Sequence, residues 1–314
     1  MKYINDYKDG DRVFDIYLCK KKSSAMTKNG KPYDSVLLQD KTGVMEAKIW
    51  DPNSAGISDF DVLDYIEVYG EINSFQGALQ VNVKRIRRCL EGEYQALDYV
   101  PVSRYNIAEM YEELLGFVGQ IENKFLKALM SEIFIKDEQL IKSFKESSAA
   151  KSIHHGFVGG LLEHTLAVVK ICNFFANTYE KLNKDLLISA ALCHDIGKVF
   201  ELSPFPHNDY TDDGQFIGHI VIGSEIISGK ICKIENFPPV LSAQLKHCIL
   251  AHHGEFAYGS PKKPAIIEAV ALNFADNADA KLQAFIELLD SGKEDGWQGY
   301  NRLFESNVIA TRVN

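Results

Sequence analysis

A chain of 314 residues has room for two domains, and a composition of 46% hydrophobic and 25% charged residues excludes collagenous and low-complexity classes. No run of 18 or more apolar residues occurs, so no membrane-spanning helix is expected. The net charge of −9 argues against broad non-specific binding to nucleic acid. That charge is uneven. Residues 1–90 carry 14 Lys/Arg against 13 Asp/Glu and the remainder 20 against 30, which leaves room for a local basic groove in the first part. The first residues lack the apolar core of a signal peptide, so a cytoplasmic protein is expected. The six cysteines form no CxxC pair and read as reduced, buried small hydrophobes rather than as thiolate ligands of zinc.

Residues 12–22 alternate with period two, as a half-buried strand does. A polar loop over 23–32 contains the turn dipeptide Asn29-Gly30. Strands are predicted over 33–39 and 44–50, joined by the tight connection 40–43, and residues 51–61 form a loop or short helix. Residues 65–72 and 78–88 read as a hairpin around 74–77. Five short strands, with a break after the third, predict a Greek-key barrel of the OB type over residues 1–90. Such barrels hold single strands with basic residues and aromatic stacking. Candidates are Lys20, Lys21, Lys22, Lys28, Lys31, Tyr33, Lys48, Trp50, Phe75 and Lys84. The plainer alternative makes Tyr33 and Trp50 barrel core and the lysines a solvated rim.

Residues 91–105 lack periodicity and contain Pro101, which predicts a linker. From 106 the pattern turns helical, with Ile107, Met110, Tyr111, Leu114 and Val118 at spacings of three and four. Further helices are predicted at 122–134, 136–146, 161–179, 185–198, 217–231, from Pro238-Pro239 to His252-His253, and over 268–289. The second domain, 106–314, is therefore expected to be all-α.

All nine histidines fall between 154 and 253. A cluster so confined points to one chemical site. His194-Asp195 ends an apolar helical run, where a buried polar pair is costly unless neutralised. A divalent cation would neutralise it, since imidazole and carboxylate both ligate one. Neighbours in a helix are about 100° apart, so both reach one centre only at a helix end. His164, His194, Asp195 and Asp276, carried on three facing helices, make the minimal metal site. His207 and His247 read as ordinary hydrogen-bonded or surface residues. Asp279, one turn beyond Asp276, reads as a supporting or surface group.

The phrases Gly160-Leu-Leu-Glu-His164-Thr-Leu, His194-Asp195-Ile-Gly-Lys198 and Phe274-Ala-Asp276 resemble the HD superfamily of metal-dependent phosphohydrolases. That resemblance implies an all-helical domain over about residues 150–290. It also implies that His219, His252 and His253 extend the ligand set to two divalent ions, with Asp195 as a bridge. Manganese is the first candidate, with magnesium, cobalt or iron as others. His194 and Asp195 would act in catalysis; Lys198 either meets a phosphate oxygen or is a solvated lysine, and His154 and His155 either contact substrate phosphate or are ordinary hydrogen-bonded residues. A barrel ahead of such a domain, with His155-Gly-Phe-Val-Gly-Gly, Gly218-His219-Ile, His252-His253-Gly254 and Gly259-Ser-Pro261, resembles YhaM-type 3′→5′ exoribonucleases over nearly the whole chain. The resemblance implies stepwise hydrolysis of single-stranded RNA, with single-stranded DNA as a second substrate, to nucleoside 5′-monophosphates. Three rivals stay open: hydrolysis of a nucleotide or cyclic dinucleotide, RNA binding without catalysis, and oxidative chemistry at a di-iron centre, against which the barrel argues. The oligomeric state is also open, a homo-oligomer included.

Overall fold

The computed structural model describes residues 2–151, 155–290 and 296–311. The chain divides into two compact units, Met1–Val102 with Phe205–His207, and Ser103–Pro204 with Asn208–Asn314.

The first unit is built from β1 (Arg12–Met26), β2 (Pro32–Asp40), β3 (Gly43–Ile49), β4 (Tyr65–Phe75) and β5 (Ala78–Arg88). These close into a barrel in the order β1-β2-β3-β5-β4, the OB-type arrangement that the strand spacing predicts. All pairings are antiparallel except that of β3 with β5. Closure leaves no open edge for another chain to extend. The alternation in the sequence is the alternation of faces. Val36, Leu38, Met45, Ala47, Ile49, Ile66, Val68 and Val81 point into the barrel and are buried. β1 runs four residues beyond the predicted end because Ser23–Met26 find partners in β2, and the Ser24 hydroxyl donates to Asp34 at 2.6 Å. The predicted loop shrinks accordingly. Residues 51–61 form turns and a single bridge from Ile57 to Ile86, with no helix.

The second unit is helical: α1 (Ile107–Gln120), α2 (Lys124–Phe134), α3 (Glu138–Glu146), α4 (Gly160–Thr178), α5 (Lys184–Cys193), α6 (Lys198–Glu201), α7 (Asp212–Phe216), α8 (His219–Ile231), α9 (Pro239–Ala251) and α10 (Ile267–Asp290). Asn106, Asn123, Asp137 and Asn183 begin α1, α2, α3 and α5 by accepting hydrogen bonds from the first free backbone N–H groups. α5 is buried over nearly its whole surface and α4 over its first half, as helices at the middle of a bundle are. A short hairpin, β6 (Trp297–Asn301) and β7 (Ser306–Ile309), follows the helices. Among the described residues no helix is long and apolar enough to cross a membrane.

The predicted helix 185–198 is interrupted. α5 ends at Cys193, and residues 194–197 turn before α6 begins. The His194 ring takes the Ala191 carbonyl at 2.8 Å, and the following N–H groups bond three residues back, Ile196 to Cys193 and Lys198 to Asp195. This tightening is a helix end, and it turns His194 and Asp195 toward one point. Gly197 permits it. A Cβ there would overlap the His219 carbonyl oxygen and the Gly223 nitrogen at the start of α8. Gly197→Ala is therefore expected to destabilise the helical unit by about 1–3 kcal/mol or more, as overpacking against backbone does, and to lower its melting temperature.

Candidate functional site

Five imidazoles and two carboxylates meet where helix ends converge. His164 stands in the second turn of α4, His194 and Asp195 just beyond α5, His219 at the start of α8, His252 and His253 just beyond α9, and Asp276 within α10. The C-terminal ends of α5 and α9 both point at this place, and their partial negative charge favours a cation.

Asp195 is the hub, at 2% exposure. Around its Oδ2 stand Nε2 of His164 at 3.4 Å and Nε2 of His194 at 3.5 Å. Asp276 Oδ1 lies 3.2 and 3.9 Å from the same two nitrogens. Around Asp195 Oδ1 stand Nε2 of His219 at 3.4 Å and Nε2 of His252 at 3.6 Å. Ligand atoms of His219, His252 and His253 lie within 4.8 Å of one another, as do those of His164, His194 and Asp276. Two donor clusters thus share one carboxylate.

The far nitrogen of each imidazole is held. Nδ1–H donates to Ala191 O from His194 (2.8 Å), to Ile249 O from His252 (2.7 Å) and to Tyr258 O from His253 (2.8 Å). A carbonyl only accepts, so these three rings carry their proton on Nδ1 and present the Nε2 lone pair. His164 Nδ1 faces Asp279 at 2.7 Å, and His219 Nδ1 faces Glu201 at 2.8 Å. Such outer partners fix ring orientation at metal sites and raise ligand basicity.

The donors fit a cation on a second ground. Asp195 Oδ1, His219 Nε2 and His252 Nε2 are buried without a hydrogen-bond partner. Leaving three such atoms unsatisfied costs about 1–3 kcal/mol each. His164 and His194 also face each other Nε2 to Nε2 at 3.2 Å, which requires a proton or a cation nearby. Electrostatics lean the same way. Burial pushes the Asp195 carboxyl up, but Lys198, His194 and His164 outweigh it and hold the group well below the ordinary range. Burial lowers His194 to about 4, which keeps it a neutral ligand.

Lys198 places its ammonium 2.8 Å from Asp195 Oδ2, three residues along the turn. His155, expected to touch substrate phosphate, does not face solvent. It is 2% exposed, and its Nε2 lies 3.1 Å from Asp279, so it braces the carboxylate that braces His164. That expectation is corrected: a spacing of nine residues from His164 brought His155 to the site, but behind it. His154 lies outside the described residues. His247 Nε2 accepts the Ala265 N–H at 2.9 Å. Glu201 was missed by sequence reasoning. It is buried, accepts from both the backbone and the ring of His219, and meets them across 18 residues with no motif to mark it.

Asp279 sits between His155 and His164. Burial raises its carboxyl, and the two hydrogen bonds more than reverse this, to about 2. Asp279→Asn is expected to weaken divalent-metal affinity about 10–100-fold, the usual cost of losing such a support, as read by metal titration of the purified protein.

On the barrel, Tyr33 and Trp50 lie side by side on the outer face of β2 and at the end of β3, ring centroids 5.3 Å apart. Trp50 is 50% exposed, which rules out the barrel-core alternative for it, and its indole N–H donates to Asn82 at 3.0 Å. Lys48 joins this patch, 5.5 Å from the Tyr33 ring, with its ammonium shared by Ser35 and Glu46. Phe75 is exposed at the β4–β5 hairpin. Lys20, Lys21, Lys28 and Lys31 are exposed on β1 and the following loop. Two of the expected lysines are engaged elsewhere. Lys22 pairs across from buried Val36, and its ammonium donates to the Phe60 carbonyl and lies over that ring, so it is turned from the Tyr33 face. Lys84 is paired with Glu71.

Comparison with known proteins places this chain. The HD domain family matches residues 161–281. The 3'-5' exoribonuclease YhaM of Geobacillus sp. (strain WCH70) is 32% identical over 297 residues, covering 93% of this chain and 89% of its own length. The protein of the same name from Listeria monocytogenes serotype 4b (strain CLIP80459) is 32% identical over 316 residues, covering 97% and 99%. A solved structure, the second OB-fold domain of replication protein A from Methanococcus maripaludis, aligns with 30% of this chain and 98% of its own, at 18% identity and a TM-score of 0.24. With an HD domain and end-to-end similarity at this identity, the chain belongs to the YhaM family of 3'-5' exoribonucleases.

Proposed function

We propose that the protein is a divalent-metal-dependent exoribonuclease that shortens single-stranded RNA from its 3′ end and releases nucleoside 5′-monophosphates. Single-stranded DNA is a second substrate of the same site. The observation that carries the reading is Asp195, buried, with one oxygen facing each of two donor clusters. That arrangement would suit two cations, one on each side of Asp195. His164, His194 and Asp276 would hold one, and His219, His252 and His253 the other. Imidazole and carboxylate together suit manganese, the first candidate, and admit magnesium, cobalt or iron.

Bound here, such ions act as Lewis acids on the phosphoryl oxygens and make water a nucleophile at neutral pH. The chain's residues do the rest. Asp279, Glu201 and three backbone carbonyls fix the five rings so that every Nε2 points inward. Lys198, pulled above its ordinary range by Asp195 against the cost of burial, stays charged. Beside Asp195, its ammonium is placed to donate to a phosphoryl oxygen of the substrate. The barrel supplies the hold on the strand. Tyr33, Trp50 and Phe75 offer faces for bases, and Lys20 and Lys31 offer charge for phosphates. Digesting a 5′-labelled single-stranded RNA with manganese, with and without chelator, tests the reading. A ladder shortening from the 3′ end only when metal is present is the expected result.

A further inference from the structure

A cleft of about 400 Å³ opens beside the second donor cluster, lined by His253, Tyr258, Lys263, Val270, Asn273 and Asn277. Two of these residues tie it to the site. His253 belongs to the donor set, and Asn277 follows Asp276 on α10. The wall is fixed. The Asn273 amide donates to the His252 carbonyl at 2.7 Å, and Gly254, at a φ of +80°, sits where any Cβ would overlap that amide. His253 holds the Tyr258 carbonyl, so the loop carrying Tyr258 is anchored by the donor cluster itself.

The chemistry of the cleft differs from that of the cluster it adjoins. Tyr258 is 68% exposed, and its ring stacks on no other aromatic ring among the described residues. Asn277 has an exposed amide with no partner among the described residues. The one cation, Lys263, is already neutralised by Glu255 and lies 5.6 Å from the Phe256 ring centre. An aromatic face, a free amide and no spare charge do not suit a phosphate. They suit an uncharged base and a ribose. The volume is at the small end for ligand clefts, enough for one nucleoside.

Resting on the exoribonuclease reading, we propose that this cleft receives the 3′-terminal nucleoside of the strand, with Tyr258 stacked on the base and the Asn277 amide bonded to a ribose hydroxyl. The scissile phosphate then lies at the donor clusters. Water oxygen bonds to phosphorus, and the bond from phosphorus to the 3′ oxygen of the preceding nucleotide breaks. That oxygen takes up a proton, and the terminal nucleoside leaves the cleft carrying the phosphate on its 5′ oxygen. The cleft thereby counts one nucleotide per cut, and Asn277 distinguishes a ribose end from a deoxyribose end.

The test uses the full-length, manganese-loaded protein and its Tyr258→Ala, Tyr258→Phe and Asn277→Ala variants, with metal content and melting temperature measured for each. Probes are a labelled single-stranded RNA, the same strand with one 3′-terminal 2′-deoxynucleotide, and AMP alone, whose binding is followed by calorimetry. Tyr258→Ala is expected to weaken AMP binding and raise KM about tenfold or more, the scale of one lost stacking contact, while Tyr258→Phe keeps wild-type values. Asn277→Ala is expected to erase the difference between ribose and deoxyribose ends. AMP binding and KM unchanged in Tyr258→Ala, or end discrimination unchanged in Asn277→Ala, would overturn the cleft assignment. AMP binding reports on the cleft whether or not RNA is cut, so a wild-type protein that binds AMP through Tyr258 but leaves RNA intact would overturn the exonuclease reading alone.

Discussion

Asp195→Asn is expected to lower RNA hydrolysis by at least about 10³-fold and to reduce bound metal, with little change in RNA binding by the barrel. The size follows from the role. Charge stabilisation by bound ions is worth several kcal/mol at the transition state, and each 1.36 kcal/mol is about tenfold in rate. Asparagine keeps the shape of the side chain but not the charge that both donor clusters share. Its NH₂ group would also be turned toward either Nε2 of His219 and His252 or the ammonium of Lys198, which stands 2.8 Å from Oδ2. The first orientation caps the nitrogens that should bind metal, and the second opposes one donor with another. The checks are initial rates on labelled RNA, elemental analysis for metal, and a gel-shift titration. Full metal content with full activity would remove Asp195 from the centre.

Replacing both Tyr33 and Trp50 with alanine is expected to raise KM for a long single strand by at least about thirtyfold, with kcat preserved. One stacked base is worth about 1–3 kcal/mol, and the two rings stand together on one face, so the lower values already sum to about 2 kcal/mol, or one and a half decades. A rise in KM without loss of kcat marks binding energy shared by ground and transition states, as expected of a platform that takes no part in the chemistry. The Tyr33 and Trp50 rings stand outside the barrel core, so the double variant should still fold, and thermal unfolding verifies this. Unchanged KM would mean that the strand takes another path, with Phe75 and the β1 lysines as the next residues to test.

The barrel was legible in the sequence because one of its faces is buried, so inward and outward residues alternate along every strand. The place where alternation fails is informative. Lys22 reads as one more outward lysine, but a register shift between Cys19 and Lys21 turns it to the side of Val36, where its ammonium meets Phe60. A one-residue shift of this kind reverses faces and leaves no trace in composition. The cluster of imidazoles and carboxylates was legible for a different reason. Adjacent His and Asp on an apolar run are chemically expensive, and the histidines crowd into a third of the chain.

What the sequence hid was support rather than donors. Glu201 and Asp279 meet their rings across 18 and 115 residues, and neither distance has a period. The break after Cys193 was legible only in part: the pattern predicts helix to 198, although His194 and Asp195 could reach one centre only at a helix end. The apolar run Ala190–Cys193 reads as continuing helix, while a side chain, the His194 ring on the Ala191 carbonyl, ends it. His155 shows the opposite error: its neighbourhood was right and its direction wrong, since burial against Asp279 is decided by α10 and not by the local sequence.

The most direct test of the account is a time course on 5′-labelled single-stranded RNA with manganese, resolved to one nucleotide and accompanied by chromatography of the small products. The account predicts a ladder that shortens from the 3′ end, nucleoside 5′-monophosphates accumulating in step with it, and no cleavage in the presence of chelator. Intact strands in every lane, fragments cut at internal positions, or a ladder indifferent to chelator would contradict it.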